Sequence, residues 1–357
     1  MPSQVYFIPV GSLEDEGVVA SVGALADAVG LGETVGSGLI YMLKTHFGER
    51  GNSTFVPSQW IRPLVESVQQ AGSKMFVADT NTLYVGSRSN AVDHLSLAYE
   101  HGFSHESLGA PVVIADGLMG ENQSSVEIDL KHYRQVYIAN DARCADGFVV
   151  VTNITGHVLA GLAGSIKNVG MGLAGRGGKR SQHCDMSPEV VSADCVACGT
   201  CVEWCPTGAI SVEETARIDH AKCIGCGECY AVCRYKAIAF SWSETSGNLQ
   251  EKMAEHCYGV LLGKRGTSLY FNFLTRITKN CNCIGHGEEA LVGPIGILAS
   301  TDIVAVDEAS VDVVKRAVGE DLFSRMWPDW DYTVQLAYAE SISLGSRDYE
   351  LVEVAPV

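Results

Sequence analysis

The sequence has no apolar run of the ~18 residues that a membrane-spanning helix needs, so it predicts no membrane span. It also opens without a basic stretch or a small-residue cleavage site (Met1-Pro2-Ser3-Gln4), which predicts a protein that stays in the cytoplasm. Basic residues are scarce: 25 Lys and Arg stand against 42 Asp and Glu, for a net charge of −17. Such a field disfavours nucleic acid and anionic membranes, and favours a partner protein with a basic face. The 13 cysteines lack the even count of a disulfide framework, and eight of them crowd between Cys195 and Cys233. That crowding points to metal ligation in a reducing compartment. A local absence is more informative still. From Gly147 to Cys184 there is no Asp or Glu.

At 357 residues with 46% apolar composition, the chain has material for a sizeable core. Apolar β-rich runs predict strands at Gln4–Val10, Leu39–Phe47, Lys74–Asp79, Pro111–Asp116 and Gly147–Asn153. Helical periodicity predicts helices at Val18–Val29, Pro63–Gln70 (with Pro in a first turn) and Asn90–His101. Beyond the cysteine-rich stretch, Asn248–Leu262, Asp302–Val318 and Tyr332–Ile342 read as helices, and Ser268–Ile277, Ile295–Ser300 and Tyr349–Val354 as strands. Alternating β and α implies an α/β body with a mostly parallel sheet, in one or two lobes. Its first part is 1–185 and its second 243–357; between them an α+β module at 186–242 is inserted.

The module is an internal repeat. Asp194-Cys195-Val196-Ala197-Cys198-Gly199-Thr200-Cys201 aligns with Lys222-Cys223-Ile224-Gly225-Cys226-Gly227-Glu228-Cys229 at an offset of 28 residues, which also carries Cys205 onto Cys233. The spacing C-x2-C-x2-C-x3-C-P, then C-x2-C-x2-C-x3-C, is the bacterial two-cluster ferredoxin pattern. Three thiolates wrap one cubane and the fourth ligand crosses from the other half. Cys195, Cys198, Cys201 and Cys233 are therefore expected to hold one 4Fe–4S cluster, and Cys223, Cys226, Cys229 and Cys205 the other. A zinc ribbon would use two C-x2-C pairs and leave half these cysteines idle. Arg234 follows Cys233 where the first half has Pro206, so the two potentials are expected to differ, around roughly −400 mV.

The acid-free stretch holds His157, Lys167, Arg176, Lys179, Arg180 and His183 in a glycine-rich setting. Gly170, Gly172 and Gly178 would let backbone N–H groups approach an anion that the cations attract. The alternative is a basic strip docked on the acidic body. Gly170-x-Gly172-x-x-Gly175 matches the dinucleotide fingerprint in form only, because a helical run precedes it where a strand should. Walker spacing is lacking too. Lys44 and His46 lie two apart at a strand end and face one way, and with Arg88 they are expected near the same region. Asp79 and Asp116 end predicted strands, where open parallel sheets bind ligands; a salt bridge or a turn cap is the plain alternative for each. His94 reads as structural, and Cys257 and Cys144 as core. Cys184 follows His183 and is expected near the chemistry. Cys281-Asn282-Cys283 with His286 reads as a metal-ligating string, as a thiol pair, or as a buried turn.

On Lys44-Thr45-His46-Phe47-Gly48, Asp79-Thr80-Asn81-Thr82, Gly86-Ser87-Arg88-Ser89-Asn90-Ala91, Ile114-Ala115-Asp116-Gly117, Lys167-Asn168-Val169-Gly170-Met171-Gly172 and Gly296-Ile297-Leu298-Ala299-Ser300, the chain resembles the ferredoxin-fused branch of the domain-of-unknown-function family numbered 362. The resemblance runs nearly end to end. It implies an iron–sulfur protein and supplies no substrate.

Two functions are open to such a chain. One is a reductase in which low-potential electrons pass to an anionic small molecule at 167–183, with Lys179, His183, Lys167 and His46 as catalytic candidates and Gly170, Gly172, Gly178, Lys44 and Asp116 as binding candidates. A flavin or a further metal is compatible with that reading. The other is a non-catalytic carrier subunit that docks a redox partner.

Overall fold

The computed structural model describes residues 2–183, 188–205, 207–223, 229, 232–240, 242–285 and 288–355. Eight strands form one sheet: β1 Ser3–Pro9, β2 Ile40–Lys44, β3 Lys74–Asp79, β4 Val112–Ile114, β5 Gly147–Asn153, β6 Ser268–Leu274, β7 Gly296–Ser300 and β8 Tyr349–Glu353. The order is β8-β1-β7-β6-β5-β2-β3-β4. All neighbours are parallel except at β7, which runs antiparallel to both β1 and β6. Strands from both sides of the cysteine-rich stretch share this sheet, so the α/β body is one layer system and not two lobes.

The central strands read as continuous apolar runs because both faces are covered. Phe148 and Val150 of β5 pack on one side, with Ala254, Cys257 and Leu261 of a long helix and Val304 and Val306 of another. Val149 and Val151 pack on the other, with Val18, Val22, Trp60, Ile61 and Leu64. Burying each such Val, Leu or Phe is worth roughly 1.5–3 kcal/mol. The main helices are α1 Asp15–Ala28, α2 Ser58–Gln70, α3 Ala91–Glu100, α4 Ser165–Gly170, α5 Arg176–His183, α6 Trp242–Leu261, α7 Ile303–Val318 and α8 Thr333–Ser341. Two expectations need correction and one element is new. Pro63 lies inside α2, because burial of Trp60 and Ile61 pulls the helix start back to Ser58. The glycine-rich string from Arg176, to which sequence assigns no element, forms a helix. Cys144 is exposed at the end of a short helix, whereas Cys257 is core as expected.

The connection from β5 to β6 carries α4, α5, the cysteine-rich unit and α6. That unit has two antiparallel pairs, Pro188–Val190 with Ile238–Phe240 and Ile210–Val212 with Ala216–Ile218. The 28-residue repeat is visible in its backbone. Ile210–Val212 matches Ile238–Phe240, and Gly208 (φ 62°) matches Lys236 (φ 55°), both left-handed after a turn onto Cys205 or Cys233. Lys236 accepts a backbone conformation that favours glycine. Among the described residues no helix is long and apolar enough to cross a membrane.

Candidate functional site

The chain leaves β2 towards β3 on one side and returns with β5 on the other, so the sheet has its switch point between β2 and β5. Open α/β sheets bind ligands in the crevice beyond the strand C-termini at such a point. A cavity of about 140 Å³ lies there, lined by the ends of β2, β3 and β5, by α4 and α5, and by the turn at residues 281–283. Lys44, His46, Asp79, Arg88, Lys167, Lys179 and His183 all reach it. Asp116 is buried behind it and is not part of the wall.

The floor is an ion network around Asp79. Lys44 Nζ is 3.0 Å from Asp79 Oδ1, and Arg88 Nη1 is 3.6 Å and His94 Nε2 3.7 Å from Oδ2. Arg88 also pairs with Glu49 at 3.2 Å. Burial would raise the Asp79 carboxyl, but Lys44, His46, His94 and Arg88 outweigh it and hold the group well below the usual carboxylate range. Lys44 Nζ donates to Asn168 Oδ1 at 2.8 Å, and Asn168 Nδ2 donates to Val151 O, which ties α4 to β5. His94 is buried against Phe47 and serves structure, as expected.

Two cations rise from the floor. Lys179 Nζ donates to Thr80 Oγ1 (2.7 Å) and Ala174 O (2.6 Å), with Asp116 at 3.9 Å. Burial outweighs Asp116 and Asp79 and brings the Lys179 ammonium down to about 8, a value suited to proton transfer near neutral pH. The side chain of Lys167, half-buried at the wall, makes no hydrogen bond or ion pair with any described residue. Burial pulls Lys167 down, yet Cys281 and Cys283 outweigh it and raise it. His183 is pushed down to about 4 by burial and by Lys167 and Lys252, so its ring is neutral at pH 7, and its buried Nδ1 has no partner among the described residues.

The glycines play a different part from the expected cradle. A Cβ on Gly170 would fall 2.1 Å from Met253 O, and one on Gly178 2.1 Å from Tyr137 O. They let α4 press on α6 and α5 on a neighbouring hairpin. Gly172 does line the cavity, but its N–H bonds to Lys167 O. Other members of the acid-free stretch are structural: Arg176 donates to the carbonyls of Met119, Thr82 and Ser89, and His157 Nδ1 accepts from Leu159 N and Ala160 N. Asn168, Thr80, Tyr84 and Glu49 belong to the site and were not singled out by sequence. Asn168 and Thr80 lie inside quoted motifs, which was the available signal.

In the cysteine-rich unit, Cys195, Cys198, Cys201 and Cys233 line one small cavity. Cys205 and Cys229 pack into the same local core with Ile210, Ala216 and Ile238. Three backbone amides donate to sulfur: Ala209 to Cys205 (3.2 Å), Ala237 to Cys233 (3.3 Å) and Ala216 to Cys195 (3.3 Å). Cys223 is half-buried. Cys226, Cys184, His286 and Pro206 lie outside the described residues. Among the described residues no group of three or more His, Cys, Asp or Glu is arranged as a metal site.

Residues 42–312 match the family model described as "Domain of unknown function (DUF362)", and the chain belongs to that family. No curated protein matches. Among solved structures, the chain is similar to the lactate racemase apoprotein from Thermoanaerobacterium thermosaccharolyticum, at 14% identity and a TM-score of 0.38 over 76% of this chain and 50% of that one. It is also similar to a protein from Thermotoga maritima, at 9% identity and a TM-score of 0.39 over 87% of this chain and 60% of that one. The chain thus spans between half and two thirds of the length of these two structures.

Proposed function

We propose that this member of the family is an iron–sulfur electron-transfer protein of a reducing, cytoplasmic compartment, and within that class a reductase acting on an anionic small molecule. The observation that carries the first part is the convergence of Cys195, Cys198 and Cys201 with Cys233, from opposite halves of the repeat, on one cavity. Those four sulfurs suit one 4Fe–4S cluster; Cys223, Cys226, Cys229 and Cys205 are assigned to the second. The donors are soft thiolates, and amide N–H groups already point at three of them, as cluster sites require. When bound, such clusters supply single electrons without protons.

Protons and substrate binding then fall to the body. Lys167, which has no described partner, takes the anion at the wall. Lys179 donates a proton, returning it from solvent at a pKa close to working pH. Neutral His183 presents Nδ1 to the bound molecule. The Lys44–Asp79–Arg88 network fixes the floor and keeps its own charges paired. The carrier reading draws on the net charge of −17, which would steer a basic redox partner.

Iron and sulfide quantitation on anaerobically purified protein tests the cluster assignment. About eight iron atoms per chain is the expected result, and no stoichiometric iron would sink it. Thermal shift with phosphate and small carboxylates, on native protein and on Lys167→Met, separates the two roles. Anion-dependent stabilisation lost in the variant supports the reductase; a native protein indifferent to every anion leaves the carrier.

A further inference from the structure

The wall of the cavity facing Lys167 is the turn Cys281-Asn282-Cys283. It is closed by Ile284 N–H donating to Cys281 O at 3.1 Å. Asn282 Nδ2 anchors it on Asn52 Oδ1 and Thr54 Oγ1, Glu49 N–H donates to Asn282 O, and Tyr84 Oη donates to Cys283 O at 3.1 Å. In an extended strand, residues two apart lie about 6.6 Å from each other, near the upper limit a disulfide spans. The turn draws these two closer. Both cysteines line the cavity from this one turn.

His46 decides the state of this pair. Gly48 N–H donates to His46 Nδ1 at 2.9 Å, so Nδ1 holds a lone pair and the ring proton is on Nε2. Nε2 lies 3.2 Å from Cys283 Sγ. The imidazole therefore donates to sulfur and is not its base. Arg88 Nη1 lies 3.0 Å from the same Nε2, and burial, with the positive charge of Arg88, disfavours a second proton on the ring. Around Cys283 stand His46 as a donor, Cys281 on the same turn, Lys167 and Arg88 as cations, and Tyr84; Glu49 and Asp79 are paired to Arg88 behind them.

We infer that Cys281 and Cys283 are a redox-active thiol pair that exchanges with a small anionic disulfide entering the cavity, Cys283 attacking and Cys281 resolving. The geometry agrees with the charge states. The neighbouring Cys281, His46 and Lys167 hold Cys283 well below the usual thiol range against burial, and the neighbouring Cys283 together with burial holds Cys281 well above it. In the first step the Cys283 thiolate forms a bond to one sulfur of the incoming disulfide. The S–S bond breaks and the released thiolate takes a proton from solvent. In the second, Cys281 gives up its proton to solvent and bonds to Cys283 Sγ; the mixed disulfide breaks and the other thiolate leaves, taking a proton from solvent in turn. The two cysteines lose two electrons and the small disulfide gains them. A nucleophile for carbonyl chemistry would need one thiolate; a second cysteine on the same turn and the same cavity wall is what resolution requires. Lys167, facing the pair without a described partner, selects an anionic molecule. This inference goes beyond the iron–sulfur proposal and neither step depends on it.

The test uses the full chain, purified anaerobically, with peptide-mapping mass spectrometry. At pH 6.5, iodoacetamide is expected to alkylate Cys283 about tenfold or more faster than exposed Cys144. Glutathione disulfide should produce a Cys281–Cys283 bridge and release reduced glutathione, faster than cationic cystamine produces the same bridge. Cys281→Ser should trap glutathione on Cys283. The inference is overturned if Cys283 reacts no faster than Cys144, or if native protein forms no 281–283 bridge, whatever the variant does. An equal rate with cystamine overturns the anionic selection. Iron counted in the same samples keeps the two proposals apart: full iron with inert thiols removes this one alone, and a reactive pair without iron removes the other alone.

Discussion

Replacing Asp307 with asparagine probes how α4, and with it Lys167, is held in place. Asp307 comes from α7, yet its carboxylate caps the first turn of α4: Ser165 N–H donates to Oδ1 (2.8 Å) and Ile166 N–H to Oδ2 (2.9 Å). Asn272 Nδ2 of β6 donates to Oδ1 as well (2.8 Å). Gly164 makes room, since a Cβ there would fall 2.5 Å from Oδ2. The carboxyl is fully buried, and burial outweighs these three bonds and pushes it from 3.8 up to about 6. Its folded pKa is raised, so the folded state binds the proton more tightly than the unfolded chain. Between pH ~4 and ~6 the folded protein then carries more protons, and stability falls as pH rises through that window. A shift of about 2 units is worth about 3 kcal/mol. Asparagine cannot ionise and escapes that loss, but it replaces one acceptor with a donor, at about 1–3 kcal/mol independent of pH. The variant should therefore be less stable than native protein by that amount at pH 4 and close to it, or slightly more stable, at pH 7. Urea midpoints at both pH values, on samples matched for iron, measure the difference. A constant difference between pH 4 and pH 7 would refute the buried, proton-binding cap.

Arg88→Met strips the buried partner from Glu49 and Asp79 and should cost about 3–5 kcal/mol in urea unfolding, with Arg88→Lys recovering only part because one ammonium cannot span both carboxylates. Gly170→Ala, whose Cβ would meet Met253 O, should destabilise by about 1–3 kcal/mol; Gly23→Ala in α1, with open space at its Cβ, should instead raise the thermal midpoint, by about 0.5–1 kcal/mol of stability. Trp60→Ala removes a ring stacked on Phe273 and its bond to Asp15, and should lose about 3–5 kcal/mol on a denaturant curve.

Much of the body was legible because its strands are buried on both faces. Lys74–Asp79 and Gly147–Asn153 emerge with the bounds that sequence assigns them, since an apolar run between turn residues has one compact reading there. The hairpin Gln123–Glu127 with Gln135–Ala139 was missed: its first strand is polar and half-exposed, and its second, although Val136 and Ile138 are buried, is a short run of five residues. The helix Arg176–His183 is not assigned by sequence, because Gly177 and Gly178 argue against helix. Tertiary packing decides there, with Gly178 seated against Tyr137 O. In the site, Lys44, His46 and Asp79 were legible as strand ends of one parallel sheet. The contact of His46 with Cys283 was not, because the two lie 237 residues apart and no local period links them.

That separation has a structural cause. β5 and β6 are adjacent and parallel, so their connection must cross over the sheet, and here the crossover holds α4, α5, the cysteine-rich unit and α6. Lys167, Lys179 and His183 precede the unit on this connection, while Cys281, Cys283 and the cap Asp307 come after β6. Lys44, His46 and Asp79 belong to strands laid down before it. The cavity thus closes only when all three stretches meet at the switch point between β2 and β5. Asp307, gripping α4 from the far side of the insertion, couples the last stretch to the middle one. A site assembled in this way can change its cations or its thiols one stretch at a time while the sheet keeps its register. Of the three stretches, the middle one also contains the eight-cysteine repeat, so the proposed cluster ligands and the cations Lys167 and Lys179 share one connection between β5 and β6.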